Sequence, residues 1–387
     1  MEMITTTSAL QEACGVLEKS DFVAVDTEFL RETTYWPKLC LIQMACPGYD
    51  VIVDPLAKNI DLTAFFQLMT NQSVVKVFHA ARQDVEIIYN LAQVIPSPLF
   101  DSQVAAMVCG FGDSISYDQL VFRITGNHID KSSRFTDWTL RPLSERQIAY
   151  AVADVTHLRD IYMSLKANLE EQDRTSWVSE EMAILTSSDT YFTEPENAWK
   201  RMKLRVRKPL ELAIMKELAA WREAEAQRRD VPRGRIIKDD AIYEIAAQQP
   251  KTIDSLAKLR SIPKGFERSK TAHHLLQAVH RAIQIPKDQL PPVPRGKQSP
   301  EGSGAVVDLL KVLLKMASER HAVAAKVIAT VDDLEQIACD DAADVAALKG
   351  WRRQLFGEAA LAIKNGQLAL KIHGKRVTVE KIGNSSG

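Results

Sequence analysis

No run of 18 apolar residues occurs in this chain of 387 residues, so no membrane-spanning helix is expected. Cysteine is scarce. Cys14, Cys40, Cys46, Cys109 and Cys339 are odd in number and form no CxxC. That argues against a disulfide framework and a structural zinc, and fits a reducing, cytoplasmic setting. No GxxxxGK(S/T) phosphate loop is present. Residues 1–20 lack a basic start followed by an apolar block, so no signal peptide is expected. Net charge is nearly absent too, at −1. That small value conceals an asymmetry. Residues 199–286 hold 20 Lys and Arg against 10 Asp and Glu, a surplus of +10, which leaves −11 on the rest. A basic region beside an acidic remainder suggests a polyanion partner for the first and a cation site in the second. Solvated helix faces account for the same charges equally well.

The length points to two or three domains with ample core. Residues 1–170 read as α/β. Strand-like apolar runs occur at Phe22–Val25, Leu39–Ala45, Val51–Val53 and Val74–Phe78, with helical patterns at Leu62–Thr70, Ala80–Leu91, Asp101–Cys109 and Glu145–Leu169. The short segment Leu30–Lys38 between the first two strands predicts an antiparallel pair in a mixed sheet. Beyond Ser176 helices dominate. After a helical connector over 171–204, two weakly similar helical blocks are expected at 205–285 and 305–375. A Pro/Gly/Ser/Lys/Gln-rich linker at 286–304 separates them, and 376–387 reads as a tail.

What is present in the acidic part is chemically pointed. Phe22-Val-Ala-Val-Asp26-Thr27-Glu28-Phe29 is a buried-strand pattern ending in two carboxylates one residue apart. Residues i and i+2 of a strand share a face, with Cα atoms roughly 7 Å apart. Two such carboxylates repel and raise each other's pKa, and a cation relieves this. Val74–Phe78 runs into His79-Ala-Ala-Arg-Gln83-Asp84, placing Asp84 in the first turn of a helix, where an acid also simply offsets the helix dipole. Further on, Tyr150 and Asp154 are four residues apart among small and apolar neighbours. A helix puts them on one face, and a buried Asp requires a partner or a metal. A Tyr–Asp hydrogen bond in a core meets the same requirement.

Taken together, Asp26-x-Glu28, Asp84 and Tyr150-x3-Asp154, in this order and on these elements, resemble the DEDD exonuclease superfamily in its tyrosine-bearing branch, and within it the ribonuclease D family. The resemblance also rests on Leu41-Ile-Gln43-Met44, on Phe78-His79-Ala-Ala-x-Gln83-Asp84, and on Asp137-Trp138-x2-Arg141-Pro142-Leu143-x3-Gln147-x2-Tyr150. The C-terminal half looks like the helical HRDC module in tandem. The implied fold is a ribonuclease H-like exonuclease domain, a mixed sheet flanked by helices, followed by two all-α HRDC-like modules.

By resemblance, Asp26, Glu28, Asp84 and Asp154 would be ligands of two divalent ions, with Asp26 shared between them. Hard carboxylate oxygens suit Mg²⁺ or Mn²⁺, and two such ions roughly 3.5–4 Å apart clamp both oxygens of an in-line displacement. Tyr150 would orient the attacking water, since a phenol with a pKa near 10 is a poor base at neutral pH. Phe29, Gln43, His79 and Gln83 are candidate contacts to the terminal nucleotide. For His79 and Gln83 a purely local hydrogen-bonding role competes, and for Trp138 core packing does. The implied activity is 3′→5′ exoribonucleolytic release of nucleoside 5′-monophosphates, with RNA, and tRNA precursors bearing 3′ extensions in particular, as the partner. No obligate protein partner is evident. A 3′→5′ DNA exonuclease is the alternative that the carboxylates do not discriminate. A binding module with a dead site is the third reading, opposed by the intact charged cluster.

Overall fold

The computed structural model describes residues 3–294 and 303–382. The first unit is built on a six-stranded mixed sheet. Its strands are β1 (Met3–Ile4), β2 (Phe22–Leu30), β3 (Lys38–Cys46), β4 (Tyr49–Val53), β5 (Val75–Phe78) and β6 (Leu99–Asp101), in the order β1-β4-β3-β2-β5-β6. β2 and β3 are antiparallel, as the short connection requires. β2, β5 and β6 are mutually parallel. Parallel neighbours end at the same edge of a sheet, which is where ligands collect in folds of this kind.

Alternation along β2 sorts the core into two layers. Val23 and Val25 face the side covered by α1 (Thr7–Leu17), α2 (Thr63–Thr70) and α3 (Arg82–Ala92). After α4 (Ser102–Val108) and α5 (Tyr117–Thr125) comes the 27-residue α6 (Glu145–Glu171), whose Val155, Leu158 and Tyr162 pack on Phe22 and Ala24 of the opposite face. A capping box fixes its start: the Ser144 hydroxyl accepts from the Gln147 amide.

Past α7 (Thr175–Leu185) the chain is mainly helical. The first module centres on α8 (Pro209–Arg229), with helices Asp239–Gln248 and Lys270–Ile283 around it. The second holds Ser303–His321, Val331–Cys339 and Glu358–Lys364. It docks on the first unit, where Trp177 and Trp351 stack with centroids 4.4 Å apart and the Ala324 amide donates to the Met107 carbonyl at 2.9 Å.

Two expectations change here. The second module is not all-α, because Leu368–His373 and Arg376–Lys381 form an antiparallel hairpin. Leu370 and Val379 of that hairpin lean on the module's core. The expected boundary at 375/376 therefore falls within its turn, and the strand Arg376–Lys381 occupies half of the expected tail. Residues 295–302 of the expected linker and 383–387 of that tail lie outside the described residues. Among the described residues no helix is long and apolar enough to cross a membrane.

Candidate active site

The same alternation that buries Phe22 and Ala24 under α6 carries Asp26 and Glu28 onto the α6 face. Asp154 lies on α6 one turn before Leu158, so it meets them there. One carboxylate oxygen from each of Asp26, Glu28 and Asp154 lies within 4.8 Å of the other two. Asp84 arrives from the opposite face. Its helix, α3, follows β5 through a turn in which Ala80 has φ +58°. The buried Asp101 carboxylate fastens that turn by accepting from the Ala80 and Ala81 amides at 3.0 and 2.9 Å. Thr27, which alternation points away from α6, donates its hydroxyl to Asp84 at 2.5 Å. All four carboxylates line one cavity of about 650 Å³.

Electrostatics mark the group as under strain. Burial, followed by the charges of Asp154, Asp84 and Glu28, holds the Asp26 carboxyl well above the usual range. Glu28 is pushed up to about 9 by burial and then by Asp154 and Asp84, with Arg134 opposing. Burial also raises Asp84 and Asp154 to about 7, against the Thr27 hydrogen bond in one case and Tyr150 and Arg134 in the other. The donor set is carboxylate oxygen alone, which fits a hard divalent cation.

This has a measurable consequence. A carboxyl whose folded pKa lies above its unfolded value stabilises the fold fully below the unfolded pKa and loses that contribution as pH rises through the folded one. The window here runs from about 4 to about 9. In EDTA, Tm should fall between pH 6 and pH 9. Because the metal takes the deprotonated ligands, the Tm increase caused by Mg²⁺ should be larger at pH 9 than at pH 6. Equal increases at both pH values would contradict this assignment.

Tyr150 sits one turn before Asp154 on the cavity wall, its hydroxyl against the Asp154 carboxylate. Trp138 is buried beside it, ring centroids 6.1 Å apart, so this tryptophan packs as core while also lining the cavity. Arg141 pins the Trp138 segment to the sheet by donating to both Asp54 oxygens at 2.7 and 2.6 Å and to the Cys40 carbonyl at 2.7 Å.

Of the expected substrate contacts, Phe29, His79 and Gln83 line the cavity. His79 bonds Ser102 at 2.9 Å through Nδ1, and burial lowers its pKa to about 4, so the ring is neutral near pH 7. Gln43 is a correction. It pairs across the sheet with Asp26, is fully buried, and is absent from the cavity lining. Its neighbour Asp26 is at the cavity and Gln43 is not.

Sequence reasoning missed several residues. Tyr117 closes the cavity floor and donates its hydroxyl to the Asp154 carbonyl, which locks α6 at the level of the carboxylates. Lys131, Arg134 and Phe135 form the rim, with Phe135 91% exposed and the Arg134 guanidinium 5.2 Å from its ring centroid. The signal available was a cationic and aromatic pair just ahead of Asp137-Trp138.

Comparisons with known proteins place the chain in a family. A 3′-5′ exonuclease family model matches residues 1–170, and an HRDC domain model matches residues 211–279. Ribonuclease D of Nitrobacter hamburgensis is 58% identical over 382 residues, covering 98% of this chain and 100% of the relative. Ribonuclease D of Bartonella henselae is 49% identical over 384 residues, covering 99% and 94%. The crystal structure of Escherichia coli RNase D, described as an exoribonuclease involved in structured RNA processing, is similar with a TM-score of 0.83 at 29% identity, covering 94% of this chain and 98% of that one. With a match across nearly its whole length, the chain belongs to the ribonuclease D family and is a 3′→5′ exoribonuclease.

Proposed function

We propose that this exoribonuclease works with two divalent ions, Mg²⁺ or Mn²⁺, held by Asp26, Glu28, Asp84 and Asp154. It releases nucleoside 5′-monophosphates and trims the 3′ ends of tRNA precursors and other structured RNAs. The observation that carries the reading is the convergence of four carboxylates from both faces of the sheet on one cavity, where burial raises all four carboxyls and the neighbouring charges raise Asp26 and Glu28 further. Bound ions would offset that repulsion and supply Lewis-acid stabilisation of charge on the scissile phosphate. Asp26 would be the residue shared between the ions, since it feels the charge of each of the other three.

The chain's own residues do the rest. Thr27 holds Asp84 in place, and Tyr117 holds the backbone at Asp154. Tyr150 orients the water that attacks the phosphate. Phe29, His79, Gln83 and Phe135 surround the terminal nucleotides, with aromatic faces available for base stacking. The body of the RNA lies on the basic helical region through phosphate contacts. Arg207, Arg235 and Lys264 are exposed and form no ion pair among the described residues. Arg205, Arg228 and Arg233 are engaged with Asp240, Glu225 and Glu223.

The test is hydrolysis of a 3′-extended tRNA and a matched DNA strand in Mg²⁺, Mn²⁺ or EDTA, with the products identified. Loss of activity in EDTA, its return with either ion, and 5′-mononucleotides from the RNA are the expected results. Full activity in EDTA would remove the metal from the mechanism. Faster cleavage of the DNA would overturn the substrate assignment.

A further inference from the structure

The loop between β2 and β3, residues 31–37, touches two distant parts of the molecule. At its near end Leu30, Arg31 and Glu32 line the active-site cavity. Arg31 donates through Nη1 and Nη2 to the two Glu86 oxygens at 2.8 and 2.9 Å. Glu86 lies on α3, two residues after Asp84.

At its far end the loop is gripped by the first helical module. The Tyr35 and Trp36 amides both donate to Asp230 Oδ1 at 3.0 Å. The Tyr35 hydroxyl donates to Glu223 and accepts from Arg233 Nη2 at 3.0 Å and Gln227 Nε2 at 3.2 Å. The Arg233 guanidinium also covers the Tyr35 ring, 4.8 Å from its centroid, and pairs with Glu223. Glu223 is only 1% exposed. A buried carboxylate of this kind keeps its partners, because leaving its charge unpaired is strongly unfavourable.

We propose that the first helical module shapes the active-site rim through this grip, so that Tyr35 and Asp230 are positioning residues for hydrolysis. The inference rests on the active site assigned above. Within the loop itself, the Thr34 hydroxyl donates to the Trp36 carbonyl at 2.7 Å and the Tyr35 and Trp36 rings meet edge to face, centroids 4.6 Å apart. Among the described residues, its side-chain hydrogen bonds to other elements run to the helical module at one end and to α3 at the other. Release of the module end frees Arg31, and with it the support that Glu86 gives to the first turns of α3. Displacements on the order of 1 Å in such groups cost up to roughly 10²-fold in rate.

The test uses the full chain and a trinucleotide RNA, whose few phosphates draw little on the basic helical surface. Asp230 ends α8 in the left-handed region, at φ +48°, which glycine adopts without strain. Asp230→Gly thus removes the acceptor and keeps the backbone. It should lower kcat on the trinucleotide roughly tenfold, with KM changed by less than about twofold and Tm by no more than about 2 °C. Asp230→Asn keeps an acceptor oxygen and should restore kcat. Tyr35→Phe, which keeps the ring and removes the hydroxyl, should lower kcat in the same way. Wild-type kcat in both Asp230→Gly and Tyr35→Phe overturns the proposal, as does a loss that Asp230→Asn does not recover. Glu28→Gln serves as the separate control: if that variant stays active, the active-site reading fails, whatever the loop variants show.

Discussion

Asp26→Asn should abolish hydrolysis, with kcat reduced at least ~10³-fold, and should make the metal-free protein more stable. Both halves come from the same geometry. Asp26 lies with Glu28 and Asp154 inside a 4.8 Å cluster, and Asp84 adds its charge from the other face. An amide keeps the shape of the side chain and removes the charge, so the repulsion falls. It is also a much weaker ligand for a hard cation. A metal ion contributes several kcal/mol of transition-state stabilisation, and each ~1.4 kcal/mol is a factor of ten in rate. In EDTA at pH 8 the variant's Tm should exceed that of the wild type by roughly 2–4 °C, the response to about 1 kcal/mol in a domain of this size. With Mg²⁺ the order should reverse, because the wild type alone gains full binding energy. A tenth of wild-type kcat in the variant, or a lower Tm in EDTA, would falsify the assignment. Removing a functional charge and gaining stability is the usual sign of a site whose arrangement serves activity at the expense of the fold.

What the sequence made legible followed from periodicity. Period two placed Asp26 and Glu28 together on β2, and period 3.6 placed Tyr150 and Asp154 together on α6. Both patterns are local, so residue spacing alone carries them. Contacts across the chain left no such mark. Thr27 reads as a spacer between two acids, yet its buried hydroxyl, on the sheet face away from α6, holds Asp84, 57 residues away. Gln43 sits in a recognisable motif and pairs across the sheet with Asp26, yet it is fully buried and does not line the cavity, which residue spacing does not reveal. Arg233 belongs to the basic surplus that suggested RNA binding, whereas the structure commits it to Glu223 and Tyr35. The charge count was right for the region and uninformative for the residue. The C-terminal hairpin did carry a signal, with Val377 and Val379 alternating with polar residues after a turn at Gly374. A two-stranded ribbon that leaves much of both faces in solvent gives only a weak pattern of this kind.

Tyr150→Phe should lower kcat by roughly 10²–10⁴-fold, the contribution typical of a group that positions or transfers a proton, and leave RNA affinity within about twofold. Burial, and then the charges of Asp154, Glu28 and Asp26, hold the Tyr150 phenol far above its ordinary value of 10. In the metal-free cavity the hydroxyl thus keeps its proton, which supports the proposed role of orienting water over that of a general base. In the proposed role the O–H is directed by Asp154 and the oxygen lone pairs fix the attacking water. Phenylalanine retains the ring that packs near Trp138 at 6.1 Å, so the cavity wall survives and only the hydroxyl is lost. The pH–rate profile separates the two roles. If Tyr150 orients water without titrating, wild type and variant should show the same pH dependence between pH 6 and 9, displaced vertically. A variant that lost an alkaline limb present in the wild type would show instead that the phenol ionises during the reaction. A variant with near-normal kcat would leave Tyr150 as a hydrogen-bond partner of Asp154 and nothing more.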